Sequence, residues 1–288
     1  MDGVLVCDKP AGLTSHDVVA RVRRLATQRR VGHGGTLDPP ATGVLVMALG
    51  RATRLLPFLP TEPKRYLATV AFGAETDTLD AAGTVTATAA TGGVDTERLR
   101  AAMAGFLGPQ EQVPPMVSAI KVAGERLYAK ARRGEEVERA PRPIVIHELG
   151  LLGFTPGERP AATIEVACSG GTYVRSLAAD LGRTLGTLAH LASLRRTAVG
   201  RFTERDARTL DDLAGPGELA SAVLDPAAAM DPAAVRALTP DEAAALATGR
   251  TLDPTGRGDP VAAVAPDGRL VAVIQDSAGR ARPRVVLA

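Results

Sequence analysis

The chain has 288 residues, which is enough for one large domain or for a medium domain with a smaller one. Hydrophobic residues make up 45% of the chain and aromatic residues 3%, so we expect a globular protein with an aliphatic core. A net charge of +2 argues against a dedicated nucleic-acid binder with evenly spread charge. The two cysteines lack zinc-type spacing, which predicts neither a metal site nor a disulfide scaffold. Neither a signal peptide nor a membrane-length apolar run is apparent, so we expect a cytoplasmic location.

The basic residues are unevenly placed. Residues 1–60 hold eight Lys or Arg against four Asp, whereas residues 231–288 hold seven Arg against seven acidic residues. Nearly all of the positive charge is arginine, which suits phosphate contacts. A GC-rich genome would produce the same bias. The basic excess therefore lies at the N-terminal end, and its cause stays open.

The first sixty residues contain one unusual loop. Residues 3–7 predict a buried strand, and a helix with an arginine-bearing outer face follows at 18–25. Residues 32–43 then combine four glycines and two prolines with a single carboxylate, Asp38, which excludes regular structure there. Such a loop lets the backbone approach a ligand. The alternative is a tight turn in which Asp38 caps a backbone amide.

Strands and helices alternate along the rest of the chain. Residues 113–142 carry seven Lys or Arg against four Glu, with a predicted helix around 126–132, and their composition is typical of an exposed excursion. Residues 214–235 are rich in Ala, Pro and Gly and predict a linker that could include a short helix. The periodicity predicts strands at 44–49, 64–72, 84–88, 144–154, 162–168, 261–264, 270–274 and 285–287, helices at 95–106, 175–185 and 240–248, and an apolar stripe at 188–194.

Six blocks of sequence, spread over residues 3–205, resemble one known family. The blocks are GVLVCDKPAGLTSHDVV, GHGGTLDPPATGVLVMALGRATRL, KRYLATVAFGAETDTLDAAG, VPPMVSAIKVAGERLYAKARRG, CSGGTYVRSLAADLG and HLASLRRTAVGRF. In this order they resemble bacterial tRNA pseudouridine synthases of the TruB type, which isomerise the T-loop uridine at position 55. Residues 236–288 resemble the small RNA-binding PUA-type module often joined to these enzymes.

The resemblance implies an α+β fold, with a mixed β-sheet pseudouridine synthase core flanked by helices. Residues 1–213 would form the catalytic domain, in which 113–142 is a mobile insertion that clamps RNA. Residues 214–235 would be the linker and 236–288 a PUA-like RNA-binding module. The expected partner is the T stem-loop of tRNA, and we expect a monomer. The isomerisation needs no metal and no nucleotide cofactor.

The resemblance also assigns three catalytic residues. Asp38 would act as nucleophile at the anomeric carbon or as a base on the sugar, and the sequence leaves both open. Arg175 would pair with it and keep it ionised. Tyr66 would stack on the flipped base and serve in removing the C5 proton. The alternatives are a helix-surface charge for Arg175 and an edge-strand aromatic for Tyr66.

Further residues would bind the substrate, because the uridine must leave a folded loop. His33 would pack near the displaced nucleotide, Leu194 would line the base pocket, and Lys9 belongs to a Lys-Pro motif around the active loop. The alternatives are a histidine bonded to backbone, a core leucine and a structural lysine. The phosphate-contact candidates, each of which could instead be a solvated charge, are Lys121, Arg132, Arg133, Arg21, Arg24, Arg29 and Arg30.

Two other functions remain as alternatives to a stand-alone enzyme. A non-catalytic RNA-binding or tRNA-folding protein could use the same scaffold, and a pseudouridine synthase could be guided by a separate RNA. The presence of Asp38, Tyr66 and Arg175 together argues against the first. The 113–142 segment and the small C-terminal module disfavour the second.

Overall fold

The computed structural model of the chain describes residues 1–116, 121–122, 125–126, 133, 137–215 and 217–287. The fold is α+β, as predicted. The chain divides into two compact units, Met1–Thr61 with Val199–Ala288 and Glu62–Ala198. Both ends of the chain therefore belong to the first unit. The predicted boundaries at residues 213 and 235 divide the chain by function rather than by compactness, and they stay predictions.

Strands dominate the described part of the chain. They are β1 (Gly3–Lys9), β2 (Val31–His33), β3 (Thr42–Leu49), β4 (Lys64–Phe72), β5 (Ala74–Thr76), β6 (Val85–Thr88), β7 (Gly108–Gln112), β8 (Lys121–Val122), β9 (Glu125–Arg126), β10 (Arg142–Thr155), β11 (Ala161–Cys168), β12 (Ala189–Val199), β13 (Phe202–Thr203), β14 (Val235–Ala237), β15 (Val261–Val264), β16 (Leu270–Ser277) and β17 (Arg280–Val286). The α-helices of the same residues are α1 (Ser15–Leu25), α2 (Thr96–Ala104), α3 (Val174–Thr184), α4 (Glu218–Ala222) and α5 (Pro240–Ala247), and 3-10 helices lie at Gly50–Phe58, Asp212–Ala214 and Pro232–Ala234.

In the first unit, β1 and β3 pair antiparallel and are buried on both faces. Because side chains alternate along a strand, neighbouring residues enter different cores. Val4 and Val46 belong to one core, whereas Leu5 and Met47 belong to another that includes the inner face of α1. This two-sided burial explains why residues 4–7 of β1 and 44–49 of β3 are continuously apolar.

The C-terminal strands of the first unit form a sheet in the order β14-β15-β16-β17, with β14 and β15 parallel. Leu270, Val273 and Leu287 of this sheet share a core with Val4 and Val46. The C-terminal sheet is therefore packed into the same core as the N-terminal strands.

The segment predicted as a linker contains the short helix α4 and buries three apolar residues. Leu219 packs in the core under α1, and Ala229 and Met230 pack in the core shared with the C-terminal sheet. The described part of 214–235 is therefore ordered by packing within the first unit.

The second unit contains strands in the order β12-β4-β11-β10-β7. Helices α2 and α3 bury apolar residues, among them Leu99 and Leu177. The apolar stripe at 188–194 falls almost entirely on the strand β12. The predicted helix around 126–132 is wrong at Arg126, which pairs with Lys121 in the β8–β9 hairpin, and residues 127–132 lie outside the described residues.

Candidate active site

The predicted site residues are divided between the two units. Lys9, His33 and Asp38 lie in the first unit, and Tyr66, Lys121, Arg133, Arg175 and Leu194 lie in the second. Arg132 lies outside the described residues.

Asp38 opens a tight turn in the first unit. Its carbonyl accepts a hydrogen bond from the Ala41 N–H at 3.1 Å, with Pro39 and Pro40 between them. The prolines restrict the backbone of this turn. The tight turn of the alternative interpretation is therefore present. Its hydrogen bond uses the backbone carbonyl of Asp38, so the turn is compatible with a catalytic role for the Asp38 carboxylate.

The peptides on either side of Asp38 are held by residues of β1 and α1. Before it, the buried Ser15 hydroxyl accepts from the Leu37 N–H at 2.9 Å and donates to the Leu37 carbonyl at 3.1 Å. After it, the Pro39 carbonyl accepts from the Gly12 N–H at 2.9 Å. Gly12 has a φ of +83°, which favours glycine. The backbone around Asp38 is therefore fixed from both sides.

Lys9 completes this support. It is 0% exposed, and its ammonium donates to the carbonyls of Pro10 at 2.9 Å, Leu13 at 2.7 Å and Pro39 at 3.2 Å. A lysine is almost never fully buried without such partners, and an ammonium has three hydrogens to donate. These contacts support the structural role for Lys9, as a residue that holds the active loop.

His33 lies on β2, and one nitrogen of its ring contacts the backbone. The Gly35 N–H donates to His33 Nδ1 at 3.4 Å. The His16 ring meets the His33 ring edge to face, with 5.3 Å between the ring centroids. The alternative of a histidine bonded to the backbone therefore holds for Nδ1. The contacts with Gly35 and His16 fix the plane of the His33 ring.

In the second unit, Arg175 lies in the first turn of α3 and is 4% exposed. This burial excludes the helix-surface alternative. Its Nη1 donates to the Thr78 carbonyl at 2.9 Å and lies 3.6 Å from Asp80 Oδ2. The pairing of Arg175 with Asp38 stays a prediction.

Asp80 is a candidate that sequence reasoning missed. Its Oδ1 accepts from the Thr78 hydroxyl at 2.7 Å and from the Ala82 N–H at 3.0 Å, so one carboxylate oxygen builds the turn and the other faces Arg175. The available signal was a carboxylate inside the block KRYLATVAFGAETDTLDAAG.

Tyr66 and Leu194 lie on neighbouring strands of the second unit. Tyr66 is 7% exposed and pairs in register with Val166. Its strand β4 runs between β12 and β11, which excludes the edge-strand alternative. Leu194 lies half-buried on β12. The roles of Tyr66 as a base-stacking ring and of Leu194 as an apolar lining stay predictions.

Lys64, at the start of β4, is a second residue that sequence reasoning did not single out. Burial lowers the pKa of Lys64, and the nearby Arg196 charge lowers it further, while Glu62 opposes the shift. Cys168 lies opposite Lys64 in the sheet, and burial raises the pKa of its thiol to about 11. At this end of β4, burial therefore shifts the pKa of two neighbouring groups, the Lys64 ammonium and the Cys168 thiol.

Several predicted phosphate contacts lie at the surface. Arg21, Arg24, Arg29, Arg30 and Arg133 are exposed. Lys121 lies on β8, whose side chains are outside the described residues.

Two further features concern only the described residues. No group of three or more His, Cys, Asp or Glu side chains among them is arranged to hold a metal ion. None of the helices there combines the length and apolarity that a membrane crossing requires.

Comparison with known families covers nearly the whole chain. Residues 23–174 match the family model described as TruB family pseudouridylate synthase (N terminal domain). Residues 175–230 match the tRNA pseudouridylate synthase B C-terminal domain, and residues 234–288 match tRNA Pseudouridine synthase II, C terminal.

Two curated relatives and one solved structure match this chain over most of their own length. The chain is 46% identical over 292 residues to the tRNA pseudouridine synthase B of Thermobifida fusca, covering 100% of this chain and 99% of that one. It is 47% identical over 286 residues to the protein of the same name from Mycobacterium tuberculosis strain H37Rv, covering 99% and 95%. A chain from the crystal structure of the archaeal box H/ACA sRNP Nop10-Cbf5 complex has a TM-score of 0.73 at 26% identity, covering 99% and 86%. Together these matches show that the chain belongs to the TruB family of pseudouridylate synthases.

Proposed function

We propose that this chain converts uridine to pseudouridine in the T loop of tRNA, at position 55. The single observation that carries the proposal is the Asp38 loop. Asp38 is the only carboxylate of residues 32–43, and the peptides before and after it are held by buried side chains of Ser15 and Lys9. The name tRNA pseudouridine synthase B, carried by relatives that match over the full length, supports tRNA as the substrate.

The reaction is an isomerisation in which no atom is gained and nothing is oxidised. The Asp38 carboxylate attacks the anomeric carbon or removes a proton from the sugar, and the N1–C1′ bond breaks. The base turns and its C5 bonds to C1′, which breaks the Asp38–C1′ bond of the first route or is followed by return of the sugar proton in the second. The proton on C5 is then lost and N1 gains one, so the carboxylate is regenerated and the product is an isomer of the substrate. Arg175 stabilises the ionised form of the carboxylate, and Tyr66 stacks on the base and assists removal of the C5 proton.

The uridine must leave the T loop before it can react, at a cost of about a few kcal/mol. Leu194 lines the base pocket and His33 packs near the displaced nucleotide. Lys121, Arg132 and Arg133 bind phosphates of the T stem-loop. Lys9 holds the active loop rather than the RNA. The cytoplasmic location and the monomeric state stay predictions.

Incubation with an unmodified tRNA transcript, followed by mapping of pseudouridine, tests the proposal. We expect one modified position, uridine 55, and no product from a transcript with cytidine there. A purified chain that needs an added guide RNA would favour the guided alternative. Tight tRNA binding without pseudouridine would favour the RNA-binding alternative.

A further inference from the structure

Gln112, the last residue of β7, forms a double hydrogen bond with one distant peptide. It is 5% exposed. Its Oε1 accepts from the Tyr173 N–H at 2.8 Å, and its Nε2 donates to the Tyr173 carbonyl at 3.1 Å. Because one planar amide takes both the donor and the acceptor of Tyr173, it fixes the position and the rotation of that residue.

Tyr173 is the residue from which α3 begins, and its own side chain makes no capping bond. Its carbonyl also accepts from the Leu177 N–H at 3.1 Å, the first bond of the helix. A helix start lacks internal partners for its first N–H groups and is positioned by whatever binds it from outside. Gln112 supplies that external contact for α3.

The helix start carries Arg175 two residues later. The Arg175 guanidinium can reach the Thr78 carbonyl and the Asp80 carboxylate only if the first turn of α3 is correctly placed. Ser176, the next residue, is also buried and donates to the Val113 carbonyl at 3.1 Å. Two consecutive residues, Gln112 and Val113, therefore bind the helix turn that contains Arg175.

The 113–142 segment begins directly after Gln112, at Val113. Near the other end of that segment, Arg139 Nη1 donates to the Pro114 carbonyl at 3.2 Å. The base of the segment is thus closed on itself and attached to the first turn of α3. The base of the segment and the helix turn that contains Arg175 are therefore joined by hydrogen bonds.

We infer that Gln112 is a positioning residue for the reaction, which joins the base of the RNA-contacting segment to the helix turn that presents Arg175. The inference rests on the proposed function. It assigns Gln112 no contact with substrate, since its amide is committed to Tyr173.

The test uses Gln112→Met, which keeps the side-chain length and removes both hydrogen bonds. In Gln112→Glu, the carboxylate still accepts from the Tyr173 N–H but repels the carbonyl. Gln110→Met is the matched control, because Gln110 lies on the same strand and donates to the Phe106 carbonyl instead of to α3. Single-turnover pseudouridine formation at saturating tRNA, the Kd for tRNA and the melting temperature are measured for each.

We expect the single-turnover rate to fall about 10- to 100-fold in Gln112→Met, because small displacements of a catalytic group cost rates of this order. Gln112→Glu should lie between Gln112→Met and wild type, and Gln110→Met should match wild type. The Kd for tRNA should change much less than the rate. If Gln112→Met does not fold, the ranking of Gln112→Glu below Gln110→Met decides the question.

A double variant of Gln112→Met and Asp80→Asn separates positioning from general destabilisation. If both residues act through Arg175, their combined loss is smaller than the product of the single losses. An unchanged rate, a loss seen only in Kd, or losses that multiply would overturn the inference. A wild-type protein that forms no pseudouridine would instead refute the proposed function, so the two failures are distinguishable.

Discussion

At the scale of single residues, Arg175 is held by two kinds of oxygen. The Thr78 carbonyl fixes one guanidinium nitrogen, and the Asp80 carboxylate supplies charge at 3.6 Å. Both partners come from one turn, in which Thr78 also bonds Asp80. A buried guanidinium needs such compensation, since removing one partner of a buried ion pair leaves a charge uncompensated. Thr78 and Asp80 of this turn are therefore part of the proposed catalytic machinery.

Replacement of Asp80 by asparagine tests this role. Asn keeps the Oδ1 acceptor for Thr78 and Ala82 and replaces the charged Oδ2 that faces Arg175 by an uncharged NH2 group. We expect the single-turnover rate of pseudouridine formation to fall by about 10- to 100-fold. The matched control is Asp77→Asn, because Asp77 is exposed and binds the Thr84 N–H. Equal rates in the two variants would show that the Asp80 charge has no catalytic effect.

The burial of the two cysteines leads us to predict that the stability of the fold depends on pH. Burial raises the pKa of Cys7 from its ordinary 9.0 to about 12 and that of Cys168 to about 11. Above pH 9 the unfolded chain ionises these thiols while the folded chain keeps them protonated. The contribution of these thiols to the free energy of unfolding should therefore be full below pH 9. It should fall above pH 9, up to about pH 11 for Cys168 and about pH 12 for Cys7.

Urea unfolding at pH 8 and pH 10.5 measures this fall, which should be smaller in a Cys7→Ala/Cys168→Ala double variant. In the native protein at pH 8, both thiols should react slowly with a thiol reagent. Rapid labelling of either cysteine would contradict the burial on which the prediction rests.

At the scale of elements, the turn with Asp38 takes its geometry from β1 and α1. Ser15 at the start of α1 binds the peptide of Leu37, and Lys9 at the end of β1 binds that of Pro39. The capping box of Thr14 and Asp17 starts α1 at Ser15. This start places the Ser15 hydroxyl within hydrogen-bond distance of Leu37. The loop is therefore held by neighbouring elements as well as by its own turn.

Ser15→Ala should lower both stability and activity. It leaves the N–H and the carbonyl of Leu37 without the hydroxyl that binds them, which costs about 1–3 kcal/mol of unfolding free energy. Chemical denaturation checks this value, and the pseudouridine assay should show a lower rate at saturating tRNA. Ser221→Ala is the control, because that exposed hydroxyl donates only to the Glu218 carbonyl of its own helix. Equal stability of the two variants would argue against a fixed loop.

Most elements could be predicted from the sequence because their signals are local. Residues 4–7 of β1 and 44–49 of β3 are continuously apolar, and α2 begins after its N-cap Asp95, within the helix predicted at 95–106. The contacts that build the site are not local. Arg175 reaches Thr78 across 97 residues and Gln112 reaches Tyr173 across 61, and no periodicity records such pairings. The prediction of Asp38 and Arg175 came from the family resemblance, and Asp80 and Gln112 were found only in the structure.

At the scale of the whole molecule, the C-terminal sheet packs with the N-terminal strands. Leu270, Val273 and Leu287 share a core with Val4 and Val46. Deletion of residues 232–288 would therefore expose apolar core of the unit that holds Asp38. The contribution of this module to RNA binding is better tested by substitution at its surface.

Salt dependence can locate the electrostatic contact with RNA. Charge is concentrated in residues 1–60 and 113–142, so replacing Lys121, Arg132 and Arg133 by Gln should flatten the slope of log K against log salt by about 2 to 3. The matched control replaces three exposed arginines of β17, Arg280, Arg282 and Arg284. A flatter slope in the control and an unchanged slope in the first variant would place the contact on the C-terminal sheet.

The most direct measurement of the central claim is the single-turnover rate of pseudouridine formation in Asp38→Asn, with tRNA held in the bound state. Asn fits the same turn, since the bond to Ala41 uses the backbone carbonyl. Because Asp38 is the only carboxylate of its loop, we predict that the variant binds tRNA as the wild type does and forms no pseudouridine. Appreciable product from a verified Asp38→Asn preparation would contradict the assignment of the reaction to Asp38.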